Sequence, residues 1–172
     1  IAVICGADSP EREVSLRTGA AVAGALESAH KVELITLNEN TLPEGLDAGR
    51  HVVFPAVHGR YGEDGELQSQ LEAKQIAYAG SPSDASRLCM DKTACKARVE
   101  EHGVFTAASV PLSNPAQADA DDIINTVGDK WVLKPASGGS SVGLYIGSGK
   151  EELTEALAGL DTGISWLAEK RI

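Results

Sequence analysis

The sequence predicts an α/β chain in two parts, a parallel-sheet unit followed by an α+β unit. Residues 1–5 are an unbroken apolar run, the pattern of a strand buried on both faces of a parallel sheet. Val14, Thr18, Ala21, Val22, Ala25 and Leu26 then recur at helical spacing, and strand-like runs follow at 31–37 and 51–57. Strand, helix, strand at this spacing is a βαβ unit with a right-handed crossover. The second half differs, because two strand-like runs, 130–135 and 144–147, are joined only by a glycine- and serine-rich loop. So short a connection permits a hairpin and not a parallel crossover.

Each element has a local reason. Ser9 is a good N-cap with Pro10 at the first helical position, which predicts a helix over about 10–28. Leu67 and Leu71 give a helix over 65–74, followed by a short strand near 76–79. Gly80-Ser81-Pro82 marks another helix start, and Asp91 caps a helix running to about Glu101. The boundary between the parts falls in this stretch, giving domains 1–85 and 86–172. Residues 103–111 read as extended, and Asn114-Pro115 opens a helix with Ala120, Ile123, Ile124 and Val127 on one face. Ser148-Gly149-Lys150-Glu151 reads as a capping box before a helix that turns Leu153, Leu157 and Leu160 inward. A last strand-like run covers 164–172.

Composition narrows the function. At 172 residues the chain fits one domain or two small ones with a core of their own. Fifteen Lys and Arg against 25 Asp and Glu leave a net charge of −10, which argues against nucleic acid because backbone phosphates demand a basic face. A small phosphorylated ligand needs only a few local lysines and stays compatible. No apolar run approaches the ~18 residues of a membrane span. Cys5, Cys89 and Cys95 match no metal or redox spacing and read as reduced thiols, which with no secretory leader and no glycosylation sequon gives a cytoplasmic expectation. The chain opens on a strand without Met and stops within a strand-like run, so a piece of a longer protein is expected.

Four segments can carry chemistry. In Lys134-Pro135-Ala136-Ser137-Gly138-Gly139-Ser140-Ser141-Val142-Gly143, small residues expose backbone N–H groups and hydroxyls that can cradle phosphate, with Lys134 just before them. A plain hairpin turn is the alternative. The loop is no Walker A motif, and no G-x-G-x-x-G follows the first strand. Glu11, in Ser9-Pro10-Glu11-Arg12-Glu13-Val14-Ser15, stands at the carboxyl edge of the sheet, where it either complements the helix dipole or holds a cationic group. His58, in His58-Gly59-Arg60-Tyr61-Gly62-Glu63-Asp64-Gly65, follows the third strand and should share that rim, as a ligand contact or as an ordinary loop histidine. Lys92, in Met90-Asp91-Lys92, sits unfavourably at a helix start, which calls for a counter-charge or leaves it an exposed lysine.

Taken together and in this order, these segments, with Glu169-Lys170 near the end, resemble the D-alanine–D-alanine ligase family of the ATP-grasp superfamily. The resemblance implies a Rossmann-like parallel-sheet N-terminal domain, an α+β ATP-grasp central domain with its phosphate loop at 136–143, and a missing C-terminal domain. It implies an ATP-dependent ligase that joins two D-alanines through an acyl phosphate for peptidoglycan precursors. Glu11 and Ser140 then match the catalytic network, and Glu11, Val14, Ser15 and His58 the substrate side. Lys92, Lys134, Gly139, Ser140, Ser141, Glu169 and Lys170 match ATP contacts. ATP and Mg²⁺ are the implied cofactors, with metal ligands expected beyond Ile172 and none within the chain. D-alanine and ATP are the implied partners, without membrane or nucleic acid, and with a homodimer as the implied assembly. The chain alone is expected to be inactive. Ala7 departs from the family by replacing a glycine common in the first turn, which demands a permissible backbone angle there. A D-alanine–D-lactate ligase and a non-catalytic nucleotide- or amino-acid-binding fragment stand as alternatives.

Overall fold

The unbroken apolar run at the N-terminus becomes β1 (Ala2–Gly6), every residue of which is buried. The computed structural model describes residues 1–139 and 143–172. Burial on both faces is possible because β1 lies inside a four-stranded parallel sheet of order β2-β1-β3-β4, with β2 (Glu33–Leu37), β3 (Val52–Pro55) and β4 (Ala77–Tyr78). Successive side chains point to opposite faces. Val3 and Cys5 pack with Ala23, Leu16, Val22 and Leu26 of α1 (Arg12–Leu26). Ala2 and Ile4 pack with Tyr61 of α2 (Arg60–Glu63) and with Leu67 and Leu71 of α3 (Glu66–Ala73).

Contacts divide the chain into units Ile1–Met90 and Asp91–Ile172. The division falls at the end of α4 (Ser83–Met90), which packs on α3 and α2 of the first unit. The first turn of α4 is tied to the end of α3, because the Glu72 carboxylate accepts from Ser83 N at 2.9 Å, Ser83 Oγ at 2.5 Å and Tyr78 Oη at 2.6 Å. Those three bonds hold the Glu72 carboxyl below its usual range, those of Ser83 and Tyr78 foremost.

The second unit is antiparallel, of order β5-β8-β6-β7, with β5 (Ser109–Leu112), β6 (Lys130–Pro135), β7 (Tyr145–Ser148) and β8 (Trp166–Lys170). Its first helix is α5 (Lys92–Glu101), whose Asp91 cap accepts from Thr93 N and Ala94 N as expected. One face of the sheet buries Trp131, Leu133, Trp166 and Ala168 against Ile123 and Val127 of α6 (Ala120–Val127) and Leu153 and Leu157 of α7 (Lys150–Ala158). By the two-residue period, Val132, Lys134, Leu167 and Glu169 turn to the other face.

Several helix starts differ from expectation. The helix predicted from Pro10 begins at Arg12, with Glu11 as its N-cap. Ser9 spends its hydroxyl on a local turn instead, accepting from Glu11 N at 3.1 Å. The capping box at Ser148 does not form, because Gly149 is the N-cap of α7 and the carboxylate of Glu152, not Glu151, accepts from Ser148 N at 2.9 Å. Asn114 caps only a 3-10 turn, Pro115–Gln117, and α6 starts afresh at its own cap, Asp119. After His58, Arg60–Glu63 folds into α2 around the buried Tyr61. Burial, then the charges of Glu66 and Asp64, push the Tyr61 hydroxyl to about 12, so it stays a donor and bonds Gln70 Oε1 at 3.1 Å. The angle demanded at residue 7 is met, because Ala7 adopts φ +71°. That left-handed conformation is held by Ala7 N donating to Leu37 O at 2.9 Å and by Arg12 Nη1 donating to Ala7 O at 2.9 Å.

Candidate functional site

The described site residues fall into two clusters, one in each unit. In the first unit the turn after β1 and the segment after β3 meet at the carboxyl edge of the sheet, the edge where parallel α/β sheets bind ligands. Arg12 fixes this rim by also donating to Leu37 O at 2.5 Å and Asn38 Oδ1 at 2.9 Å. Glu11 places Oε2 against Gly59, only 3.1 Å from where a Cβ on that glycine would stand. His58 is beside it, with Nε2 3.0 Å from Thr18 Oγ1 and Nδ1 3.3 Å from Glu63 Oε1. Both ring nitrogens are therefore oriented, by α1 on one side and α2 on the other. Glu11 and His58 do share one rim.

Val14 and Ser15 separate at this rim. Val14 is half-exposed on α1. Ser15 is wholly buried, and its Oγ accepts from Gly6 N at 2.8 Å and donates to Ala56 O at 2.7 Å. A hydroxyl so engaged splices the ends of β1 and β3 together, so Ser15 builds the rim from below.

In the second unit the start of α5 is stitched to the loop after β6. Lys92 N donates to Ala136 O at 2.8 Å, and Asp91 bridges Ser137. Lys92 Nζ crosses to the loop and donates to Pro135 O at 3.0 Å and Gly138 O at 2.7 Å. Burial, then repulsion from Lys134, pull the Lys92 ammonium below its usual range. Such a group folds at a cost at neutral pH, and stability would be gained as pH rises toward its unfolded value. An anion brought to this place would offset that cost.

Lys134 Nζ pairs with Glu169 Oε2, and Lys96 Nζ takes Glu169 Oε1 at 2.7 Å. Burial alone would raise the Glu169 carboxyl, but the bonds from Lys134 and Lys96 outweigh it and hold it low. The pair's contribution to stability is therefore present above the unfolded carboxyl value and lost as pH falls through the lower folded one. Glu169→Gln is expected to lower the unfolding free energy at pH 7 by about 1–2 kcal/mol and to flatten the decline below about pH 4. A Gln variant whose acid decline matches the wild type would refute this assignment.

The expected ATP residues thus converge only in part. Lys92, Lys134 and Glu169 form one cluster beside the loop, while Lys170 is exposed at the end of β8 and Gly139 is exposed in the loop. Ser140 and Ser141 lie outside the described residues. Sequence reasoning missed Lys96, Thr18 and Glu63. Lys96 was legible as a second lysine four positions after Lys92 on one helix face.

With this geometry in view, the chain's likeness to known proteins is specific. The model of the D-ala D-ala ligase N-terminus matches residues 38–81. The D-alanine–D-alanine ligase of Anaeromyxobacter sp. (strain Fw109-5) is 43% identical over 160 residues, covering 91% of this chain and 51% of that protein. The chain is similar to the N-terminal part of D-alanine–D-alanine ligases. The D-alanine–D-alanine ligase of Aquifex aeolicus (strain VF5) is 40% identical over 158 residues, with 90% of this chain and 53% of that protein covered. Among solved structures, the D-alanine–D-alanine ligase of Bacillus anthracis aligns over 99% of this chain and 57% of its own, with a TM-score of 0.85 and 34% identity. The same enzyme complexed with ATP gives 0.82 and 31%, over 99% of this chain and 58% of its own. The chain therefore spans about half the length of the D-alanine–D-alanine ligases it matches, and its parallel sheet followed by an antiparallel one matches the solved structure. Among the described residues no helix is long and apolar enough to cross a membrane.

Proposed function

We propose that this chain forms the substrate-side and nucleotide-side units of a cytoplasmic ATP-dependent ligase that joins two D-alanines through an acyl phosphate. In this reading the first unit is the Rossmann-like domain, the second is the ATP-grasp domain, and a further domain completes the enzyme. The observation that carries the reading is the lysine cluster. Lys92 is brought close to Lys134, against its electrostatic preference, with its ammonium on the carbonyls of the glycine-rich loop. Phosphates would repay that arrangement, because phosphoryl transfer depends on positioning and charge neutralisation.

Lys92, Lys134 and the loop with Gly139, Ser140 and Ser141 would grip ATP, with Glu169 and Lys170 on the strand beside it. Bound Mg²⁺ would neutralise phosphate charge, and no described residue is assigned as its ligand. Glu11 would hold the ammonium of the first D-alanine, with Val14 beside it, and His58 its carboxylate. Ser140 would join Glu11 in the catalytic network.

The test begins with calorimetry of ATP on the 172-residue chain. Binding that falls by about tenfold in Lys134→Met supports the nucleotide reading, since one charged contact is removed. Equal binding by the variant overturns it. For the reaction itself, the full-length protein should release phosphate only when ATP and D-alanine are both present, and release without D-alanine would sink the ligase assignment.

A further inference from the structure

We infer that Lys96 is a positioning residue for the nucleotide site, acting through Glu169 on Lys134. The inference rests on the nucleotide reading above and adds to it a residue that touches the cluster only through Glu169.

Lys96 Nζ is fastened at two points, to Glu169 Oε1 at 2.7 Å and to Ala107 O at 2.5 Å. Its side chain is only 14% exposed and that of Glu169 16%. Ala107 lies on the approach to β5, whereas Glu169 is on β8. One ammonium thus ties α5 to two neighbouring parts of the sheet, on the face away from α6 and α7. The consequence falls on the carboxylate. With Oε1 occupied by Lys96, only Oε2 is left for Lys134, so Lys134 is held by one oxygen at one place.

Charge makes the same point. Three ammonium groups, Lys92, Lys96 and Lys134, surround one carboxylate, so the cluster is cationic within a chain of net charge −10. Without Lys96, Glu169 could turn both oxygens toward Lys134. The pair would close on itself and draw the ammonium from the incoming phosphate. Lys96 therefore keeps the Lys134–Glu169 bond weak enough to share with an anion. This is positioning, because the two acceptors of Lys96 Nζ, a carbonyl and a carboxylate, belong to the protein itself.

Two readouts test this on the 172-residue chain. Calorimetry with ATP should show Lys96→Met binding about tenfold or more weakly than wild type, and Lys96→Arg recovering most of the loss, since a guanidinium can span the same two acceptors. The second readout needs no nucleotide. The Lys134 side-chain Nζ and Cε resonances should move in Lys96→Met and return toward wild type in Lys96→Arg, while the methyl signals of Leu133 and Leu153 stay in place as the control for folding. Unchanged Lys134 resonances in Lys96→Met overturn the inference. So does an ATP affinity equal to wild type in that variant, or an Arg variant as impaired as Met by both readouts. If the wild-type chain binds no ATP, the nucleotide reading fails by itself, and the resonances still decide whether Lys96 governs Lys134.

Discussion

Gly65→Ala is expected to destabilise the first unit by about 3 kcal/mol, read as a shift in the urea midpoint of the 172-residue chain. Two costs add. Gly65 has φ +87°, a left-handed conformation that charges any Cβ about 1–2 kcal/mol. The new Cβ would also stand 2.2 Å from Ser83 O and 3.1 Å from Ser83 C, closer than atoms can pack. Neither neighbour is the far end of a side chain. Ser83 is the first residue of α4, and its backbone is pinned from the other side by Glu72. The overlap must therefore be relieved by moving the α2–α3 corner. Gly103→Ala separates the two costs, because Gly103 has φ +77° with open space where its Cβ would go. It should cost about 1 kcal/mol, the backbone strain alone. Equal losses in the two variants would show that the corner yields and that the contact with Ser83 is not tight.

The same corner carries the histidine site. Gln68 Nε2 of α3 donates to Gly62 O at 2.8 Å, and α2 carries Glu63, which faces His58. A shift of the corner would move the carboxylate that orients the imidazole, so Gly65→Ala should disturb His58 although Gly65 touches no candidate ligand group.

What the sequence made legible follows from the range of the forces involved. The alternation of strand and helix in the first half could be read because β1 is apolar throughout and α1 keeps its helical period. The hairpin of β6 and β7 was legible because so short a loop permits no other connection. Helix starts were read less well, because several polar residues compete for each cap and the outcome depends on geometry a few ångströms away. Ser9 loses the α1 cap to Glu11 by turning to a local bond, and Glu152 reaches Ser148 N where Glu151 does not. The helix of Arg60–Glu63 was not read, because its buried anchor, Tyr61, stands between glycines.

The site divides along the same line. Glu11, His58, Lys92 and Lys134 could be picked out because their types and neighbours are unusual for the elements that hold them. Thr18 and Glu63 could not, since they are ordinary residues on helix surfaces until the fold brings them to a ring nitrogen, and Lys96 was legible only by its spacing from Lys92. Glu169 shows the limit most plainly. The resemblance placed it on a strand beside the nucleotide, and the period of β8 turns its carboxylate onto two lysines.

Ser15 supplies the sharpest test of that distinction. Ser15→Ala is expected to destabilise the chain by about 3 kcal/mol, because it orphans two buried backbone groups at about 1–3 kcal/mol each. Those groups are the Gly6 N–H and the Ala56 carbonyl, both at strand ends, and the hydroxyl between them is fully buried. No water can replace it without opening the seam between α1 and the sheet. Val14→Ala, one residue earlier on the half-exposed side of the same helix, should change stability by no more than about 0.5 kcal/mol. Denaturant titration of both variants separates the roles. A ligand-contacting Ser15 would leave stability alone and weaken D-alanine binding in the full-length protein. A splice between strands would lower stability first and weaken binding only as the rim loosens. If Ser15→Ala unfolds at the wild-type denaturant midpoint, the two hydrogen bonds do not hold the ends of β1 and β3, and the backbone bond from Ala56 N to Ile4 O must hold them instead.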